Sequence, residues 1–278
     1  MLAINLPTTE LSPSAVTIQK DSLFSSSLHR AVELTFLLPP GYGRTGKRLP
    51  VLYLNDGQDI ERLRLAELLN QLYREGRLQP ILVVGIHANQ ERLQEYGTAV
   101  QADYQGRGAK AGNYTQFVLS ELVPYVERTL SVQSGPTSTA IAGFSLGGLS
   151  ALDVAWAHPE RFGKVGVFSG SLWWRKKAYE DGYDDHNDRI MHTQIRQNPQ
   201  KPALKFWFEA GTNDETSDRN NNGVIDAIDD TLDLMHELEK KGYRRGADFQ
   251  YVEVPGGRHN PETWSQVMPD FLIWAFGK

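Results

Sequence analysis

Gly143-Phe144-Ser145-Leu146-Gly147 spells G-x-S-x-G, the pattern of a sharp strand-to-helix turn that forces a serine into an exposed, strained position while small neighbours allow close approach. The pattern also fits a plain glycine turn, so its context decides. The apolar run Thr139 to Ala142 leads directly into it, and Gly148, Leu149, Ala151, Leu152 and Ala155 supply a helix behind it, as a nucleophilic serine requires.

A serine hydroxyl is a poor nucleophile at neutral pH, so a base must take its proton during attack, and imidazole titrates in the right range. Seven histidines compete. His259 lies in the glycine-bearing segment Gly256-Gly257-Arg258-His259-Asn260, between the last β-like run, Gln250 to Val254, and a final helical stretch. His158, before Pro159, reads as a helix-end residue and His236 as a helix-face residue, while His29 and His87 have no evident partner. An acid must then hold the imidazole tautomer, and the chain order serine, acid, histidine places it after a late strand. Asp214, in Gly211-Thr212-Asn213-Asp214 behind the run Lys205 to Ala210, fits that place. Glu209 is the nearest rival, inside the run where the pleat could turn it away; Glu215 and Asp218 are further alternatives.

Acyl transfer also needs two donors aimed at the developing oxyanion. The spacing assigns one to Leu146 N–H, just after the serine, and the other to Gln58 N–H in Asn55-Asp56-Gly57-Gln58, where Gly57 permits a tight turn. The alternative there is a turn with no chemical role.

The elements that position these groups are legible as short apolar runs separated by helical stretches. VLYLN, ILVVGI, STAIAGF, KVGVFSG, LKFWFEAG and FQYVEV read as strands; Glu61 to Glu75, Tyr114 to Leu130, Gly147 to Ala157, Ile228 to Lys241 and Trp264 to Phe276 read as helices. Continuous apolar runs suit strands covered on both faces, so the expected class is α/β with a mostly parallel central sheet. Ala15 to Leu23 and Ala31 to Leu38 predict an antiparallel opening, stopped by Pro39-Pro40-Gly41. Pro269 is expected to kink the last helix or begin it anew. Residues 171–202 contain no clear strand and are expected to be an insertion over the site.

At 278 residues the chain can form one domain that buries about three quarters of its unfolded surface. A net charge of −5 with mixed signs provides no basic field for nucleic acid or an anionic membrane. The absence of cysteine excludes disulfides, thiolate nucleophiles and cysteine-ligated zinc. The start MLAINLPTTELSPSAV shows neither a signal peptide nor an apolar span, so a cytoplasmic location is expected, or a periplasmic one for a trimmed chain.

At Val51 to Gln58 (VLYLNDGQ), Gly112 to Pro124 (GNYTQFVLSELVP), Ala142 to Gly148 (AGFSLGG), Ser169 to Trp174 (SGSLWW), Gly211 to Asp214 (GTND) and the glycine-histidine segment, the sequence resembles the esterase family that holds enterochelin esterases, feruloyl esterases and mycolyltransferases. The resemblance covers most of the chain and implies an α/β-hydrolase fold, a triad of Ser145, Asp214 and His259, an oxyanion hole at Gln58 and Leu146, and no cofactor in the chemistry. SGSLWW is most similar to the siderophore-esterase branch, whose third catalytic member varies. Trp173 and Trp174, with Arg107, Tyr96 and Tyr104, are accordingly expected to line a pocket for an aromatic or catecholate ester, although tryptophans also serve as core anchors.

The segment Asp218 to Asp229 follows the EF-hand loop: oxygen side chains at positions one, three, five, nine and twelve, glycine at six and an aliphatic residue at eight. The implied ligands of a structural calcium are Asp218, Asn220, Asn222, the Val224 carbonyl, Asp226 and Asp229. An aspartate at position twelve and two neutral asparagines lower the expected affinity, and a helix-capping turn without metal is the alternative. The predicted activity is therefore hydrolysis of a small-molecule ester through an acyl-enzyme. Its rivals are acyl transfer to a carbohydrate alcohol and a calcium-stabilised binding domain without turnover.

Overall fold

Eight strands form one sheet in the order β1-β2-β4-β3-β5-β6-β7-β8 in a computed structural model that describes residues 15–44 and 46–278. The Pro/Ser-bearing lead, residues 1–14, lies outside them. β1 (Thr17–Ser25) and β2 (Arg30–Leu38) pair antiparallel, and β2 is antiparallel to β4 (Leu82–Ile86). From β4 through β3 (Val51–Asn55), β5 (Thr139–Phe144), β6 (Lys164–Phe168), β7 (Lys205–Asn213) and β8 (Phe249–Arg258) every neighbour is parallel.

Strand pleating sends alternate side chains to two apolar layers. Leu52, Leu54 and Val83 meet α1 (Leu65–Arg74), through Leu65, Leu69 and Leu72, and α9 (Pro261–Phe276), through Met268, Phe271 and Leu272. Val51, Tyr53 and Val84 face the opposite layer. That layer is supplied by α3 (Ala111–Phe117) and α4 (Val123–Thr129), joined through a π-turn at Val118–Leu122, and by α5 (Leu146–Ala157), α7 (Ile190–Gln197) and α8 (Asp226–Lys240). The short α2 (Arg92–Glu95) and α6 (Asp185–Asp188) lie in the connections after β4 and β6.

The strands fall where the apolar runs predict, to within a residue or two at most ends. Three elements differ. β7 and β8 extend past their apolar runs to Asn213 and Arg258, because they pair with one another out to those residues across a register shift. Pro269 neither ends nor restarts α9, which runs unbroken from Pro261 to Phe276. Its ring sits on a half-buried face, and burial of Trp264, Val267, Met268, Phe271 and Leu272 on the other side outweighs one missing backbone hydrogen bond. Residues 171–202 hold no strand, as expected, and carry α6, α7 and a 3-10 turn at Tyr179–Asp181. Among the described residues no helix is long and apolar enough to cross a membrane.

Candidate active site

In a parallel sheet, chemistry gathers at the carboxyl ends of the strands, and the candidate residues follow the ends of β3, β5, β6, β7 and β8. β5 ends at Phe144 and α5 begins at Leu146, so Ser145 must turn the chain in one residue; it does so at φ 56°, ψ −123°. Its N–H donates to Phe168 O at 2.9 Å, anchoring the elbow on β6. The flanking glycines have a steric reason: a Cβ on Gly143 would lie 2.4 Å from the Gly147 carbonyl carbon, and one on Gly147 would lie 2.4 Å from Asp56 Oδ2. The Ser145 and Ser171 hydroxyls are 3.2 Å apart, and Ser171 N–H donates to Ser145 O at 3.1 Å. Ser171 was not singled out by the sequence; the signal was its place in SGS directly behind a strand.

The two expected oxyanion amides sit at element starts. The hydrogen-bonded amides of α5 begin with Gly148 and Leu149, which share Ser145 O, so Leu146 N–H opens the helix without an intrahelical acceptor. Gln58 belongs to a 3-10 turn, Gly57–Asp59, whose first bonded amide is Asp59 N–H to Asp56 O at 2.9 Å. Gly57 is required because a Cβ there would lie 2.4 Å from the Gly85 carbonyl carbon of β4. Asp56 adopts φ 61° and is buried, with its carboxylate gripped by Arg92 through Nε at 2.7 Å and Nη2 at 2.9 Å. Arg92 Nη2 also reaches Phe144 O at 3.3 Å, and Asp56 N–H donates to Tyr96 Oη at 3.2 Å. This pair joins the turn after β3 to the elbow after β5, a link that spacing alone gives no way to see.

His259 follows β8 and packs edge-on against Trp264, with ring centroids 5.4 Å apart; Trp264 stacks on Phe144 at 4.7 Å. Trp264 thus links the imidazole to Phe144, the last residue of the strand that leads into Ser145. Desolvation lowers its pKa, the Asp214 carboxylate raises it and Arg92 lowers it, with a net downward shift that favours the neutral base. No hydrogen bond joins His259 to Ser145 or to Asp214 in this conformation; Asp214 acts on the imidazole through its charge, and Ser145 is linked to it only through Phe144 and Trp264. Catalytic hydrogen bonds often tighten only when substrate binds.

Asp214 leaves the end of β7, and its Oδ2 accepts Gly211 N–H at 3.1 Å. Desolvation raises its pKa against the opposing pull of Ser169, Gly211 and His259. Glu209 is not turned away from this region. It is buried, and its Oε2 accepts Ser169 N–H at 3.2 Å. Asp214 is the carboxylate whose charge acts on His259.

The expected pocket residues separate. Trp174 is fully buried, its ring pressed against Gly97 and Gly108, where a Cβ would come within 2.9 Å in each case. It packs as a core anchor and offers no surface to a ligand in this conformation. Tyr96 is likewise buried. Arg107 pairs with Asp103 at 2.7 Å and lies 5.0 Å over the half-buried Trp173 ring. Tyr104 lies 4.7 Å under Arg175.

In the 218–229 segment, Asn220 Nδ2 and Asn222 Nδ2 both donate to Asp229 Oδ2, at 2.9 and 2.8 Å. Asp218 accepts the amides of Asn222 and Gly223 at 3.1 and 2.9 Å, and Gly223 takes φ 85°. Positions three and five thus turn their amide nitrogens toward position twelve, while Asn220 Oδ1 and Asn222 Oδ1 accept Asn222 N–H and Val224 N–H at 3.0 and 2.7 Å. Asp226 departs from the expected set: it accepts Arg219 N–H at 2.9 Å and pairs with the Arg219 guanidinium at 3.1 Å, so it braces the protein side of the loop. Among the described residues no group of three or more His, Cys, Asp or Glu gathers as a metal site; half of this loop's side-chain donors are amides.

The fold is that of the α/β-hydrolase-type esterases, with Ser145 at a tight turn at the end of a central parallel strand. The family described as "Putative esterase" matches residues 25–275, and the chain belongs to it. It is 25% identical to uncharacterized protein YbbA of Bacillus subtilis (strain 168) over 260 residues, which is 91% of this chain and 97% of that one. To an iron(III) enterobactin esterase of Dickeya dadantii it is 29% identical over 135 residues, 47% of this chain and 30% of the relative. Among solved structures, a ferulic acid esterase superposes with a TM-score of 0.72 at 20% identity, covering 94% of this chain and 98% of that one. The enterobactin esterase of Shigella flexneri, solved in the presence of enterobactin, superposes with a TM-score of 0.73 at 20% identity over 98% of this chain and 63% of that one.

Proposed function

We propose that the protein is a serine carboxylic-ester hydrolase acting through an acyl-enzyme. The observation that carries this reading is Ser145 held at positive φ between β5 and α5, with Leu146 N–H beside it and His259 across Phe144 and Trp264. Ser145 Oγ attacks the ester carbonyl while His259 takes its proton; the imidazolium then protonates the departing alcohol. Leu146 N–H and Gln58 N–H receive the developing oxyanion, Asp214 stabilises the imidazolium, and a His259-activated water releases the acid. The substrate class is an aryl or catecholate ester of the siderophore kind. The SGSLWW segment and the half-buried Trp173 support it, as does the likeness to structures solved with enterobactin and dihydroxybenzoyl compounds. Incubation with a p-nitrophenyl phosphonate should leave a phosphonyl adduct on Ser145, located by peptide mass spectrometry. An adduct elsewhere, or none, refutes the nucleophile.

The loop 218–229 is proposed to bind one calcium ion through Asp218, Asn220, Asn222, the Val224 carbonyl and Asp229, with Asp226 acting from behind through Arg219. The ion supplies structural order and takes no step in the reaction. Arg219 also reaches Asp185 of α6 at 2.7 Å and Asp230 of α8 at 2.6 Å, so the loop is tied to both helices. Addition of calcium to metal-stripped protein should raise Tm by several degrees, since about 2.7 kcal/mol is gained at a hundredfold excess over Kd. No response to calcium, with magnesium as the control, removes the site.

A further inference from the structure

A buried carboxyl, Glu209, and a half-buried one, Asp214, act on one another, Asp214 acts on His259, and the proposed reaction uses only Asp214. Glu209 and Gly211 are two residues apart on β7 and so point to the same face of the sheet. A Cβ built on Gly211 would lie 2.7 Å from Asp214 Oδ1, which places the Asp214 carboxyl over that same face. Glu209 Oε1 and Asp214 Oδ1 are both buried and both lack a hydrogen-bond partner.

The donors around them are few. Ser169, held at φ 44° after β6, gives Glu209 Oε2 its N–H at 3.2 Å and its hydroxyl at 3.4 Å, and the same hydroxyl favours the ionised form of Asp214. Ser169 Oγ is itself fixed by Trp264 Nε1 at 2.9 Å, the indole that packs on His259. The titratable groups acting on Glu209 are Asp214 from the end of β7 and Tyr251 from β8; among the described residues no lysine or arginine pairs with either carboxyl. Two anions side by side in a low-dielectric site, each with an orphaned oxygen, are costly, and a single proton relieves both defects.

We propose that Glu209 is a positioning residue for the acid of the triad: its carboxyl holds one proton and donates it in a hydrogen bond to Asp214, leaving a single negative charge, on Asp214, to face His259. The proposal rests on the triad reading above. In this arrangement Ser169 and Trp264 tie the carboxyl pair to the wall on which the imidazole leans, so Glu209 acts through Asp214 and not on the substrate. Burial first, and the Asp214 charge second, push the Glu209 carboxyl up to about 8.

The sign of the linked stability follows. Between an ordinary carboxyl pKa and about 8, the folded protein binds a proton at Glu209 that the unfolded chain has released, so stability falls as pH rises through that window. Glu209→Gln, a neutral isostere whose amide can donate to Asp214, removes this dependence. The Tm of Glu209→Gln minus that of the parent should therefore grow with pH across the window and level off above it; parallel Tm curves overturn the proposal. Glu209→Ala should lower kcat about ten- to a hundredfold by loosening Asp214, with Glu209→Gln restoring most of the loss. The inflection of kcat/KM near the Glu209 titration should vanish in Glu209→Gln. If Glu209→Gln instead abolishes turnover as Asp214→Asn does, Glu209 is the ionised acid and the proposal fails. The Tm series is repeated in the Ser145→Ala background, where it needs no activity, so a failed triad and a failed shared proton give different results.

Discussion

Ser145→Ala should lower turnover of a p-nitrophenyl ester by about 10⁶-fold while leaving the fold intact, because the attacking atom is lost and the residual rate comes only from binding and the oxyanion donors. The substitution removes one oxygen from a residue whose backbone is constrained by Phe168 O and Gly147, so the change in stability should be small and favourable or neutral. His259→Ala should bring a loss of the same order, and the double variant should be no worse than either single one, since nucleophile and base act as one unit. Equal rates for the parent and Ser145→Ala would remove the serine mechanism. A large loss for Ser145→Ala with none for His259→Ala would require another base.

The second large effect lies behind the site. Arg92→Met removes the cationic partner of the buried Asp56 and leaves the Gln58 side-chain amide at 3.1 Å, at a turn that already holds a left-handed residue, and breaking a buried pair from one side costs about 3–5 kcal/mol. Arg92 is partly exposed, so the lower end of that range applies, a drop in Tm of roughly 6–12 °C for a chain of this size. Activity should fall further than stability alone explains. Asp56 fixes the turn that carries Gln58 N–H, and the same guanidinium touches Phe144 O next to the nucleophile. The double variant Asp56→Asn/Arg92→Met should recover most of the stability, because asparagine tolerates the left-handed conformation and carries no charge. An unchanged Tm in Arg92→Met would show that the pair contributes nothing net.

Both predictions depend on contacts between elements far apart in sequence, and that separates what was readable from what was not. The elbow was legible because one local pattern encodes it: β-run, G-x-S-x-G, helix. Each of its two glycines has a steric cause, the approach of Gly147 and Asn55 to Gly143 and of Asp56 to Gly147. The helical spacing of Leu65, Leu69 and Leu72, and the continuous apolar runs of the inner strands, gave the layers for the same reason, since burial of one face imposes its period on the residues. In the 218–229 segment the motif's pattern was legible, but the place of Asp226 was not. Its partner, Arg219, is the loop's own second residue, where the motif prescribes no type.

What the linear order could not settle was which faces meet. Trp173 and Trp174 are adjacent and chemically alike, yet one is half-buried and the other wedged between Gly97 and Gly108, because consecutive residues point in different directions and only the neighbouring loop decides which is covered. Glu209 looked as able to point away from the site as toward it. The sheet register and the turn at Gly211 put it on the side of Asp214. The amino-acid order by itself determined the strand and helix periods, the nucleophile elbow and the candidates for base and acid, all products of short-range sterics and patterning. The tertiary structure alone decided the Asp56–Arg92 clamp, the Ser169–Glu209–Asp214 cluster and the burial of Trp174. Electrostatics and packing between segments depend on distances in space that separation along the chain does not encode.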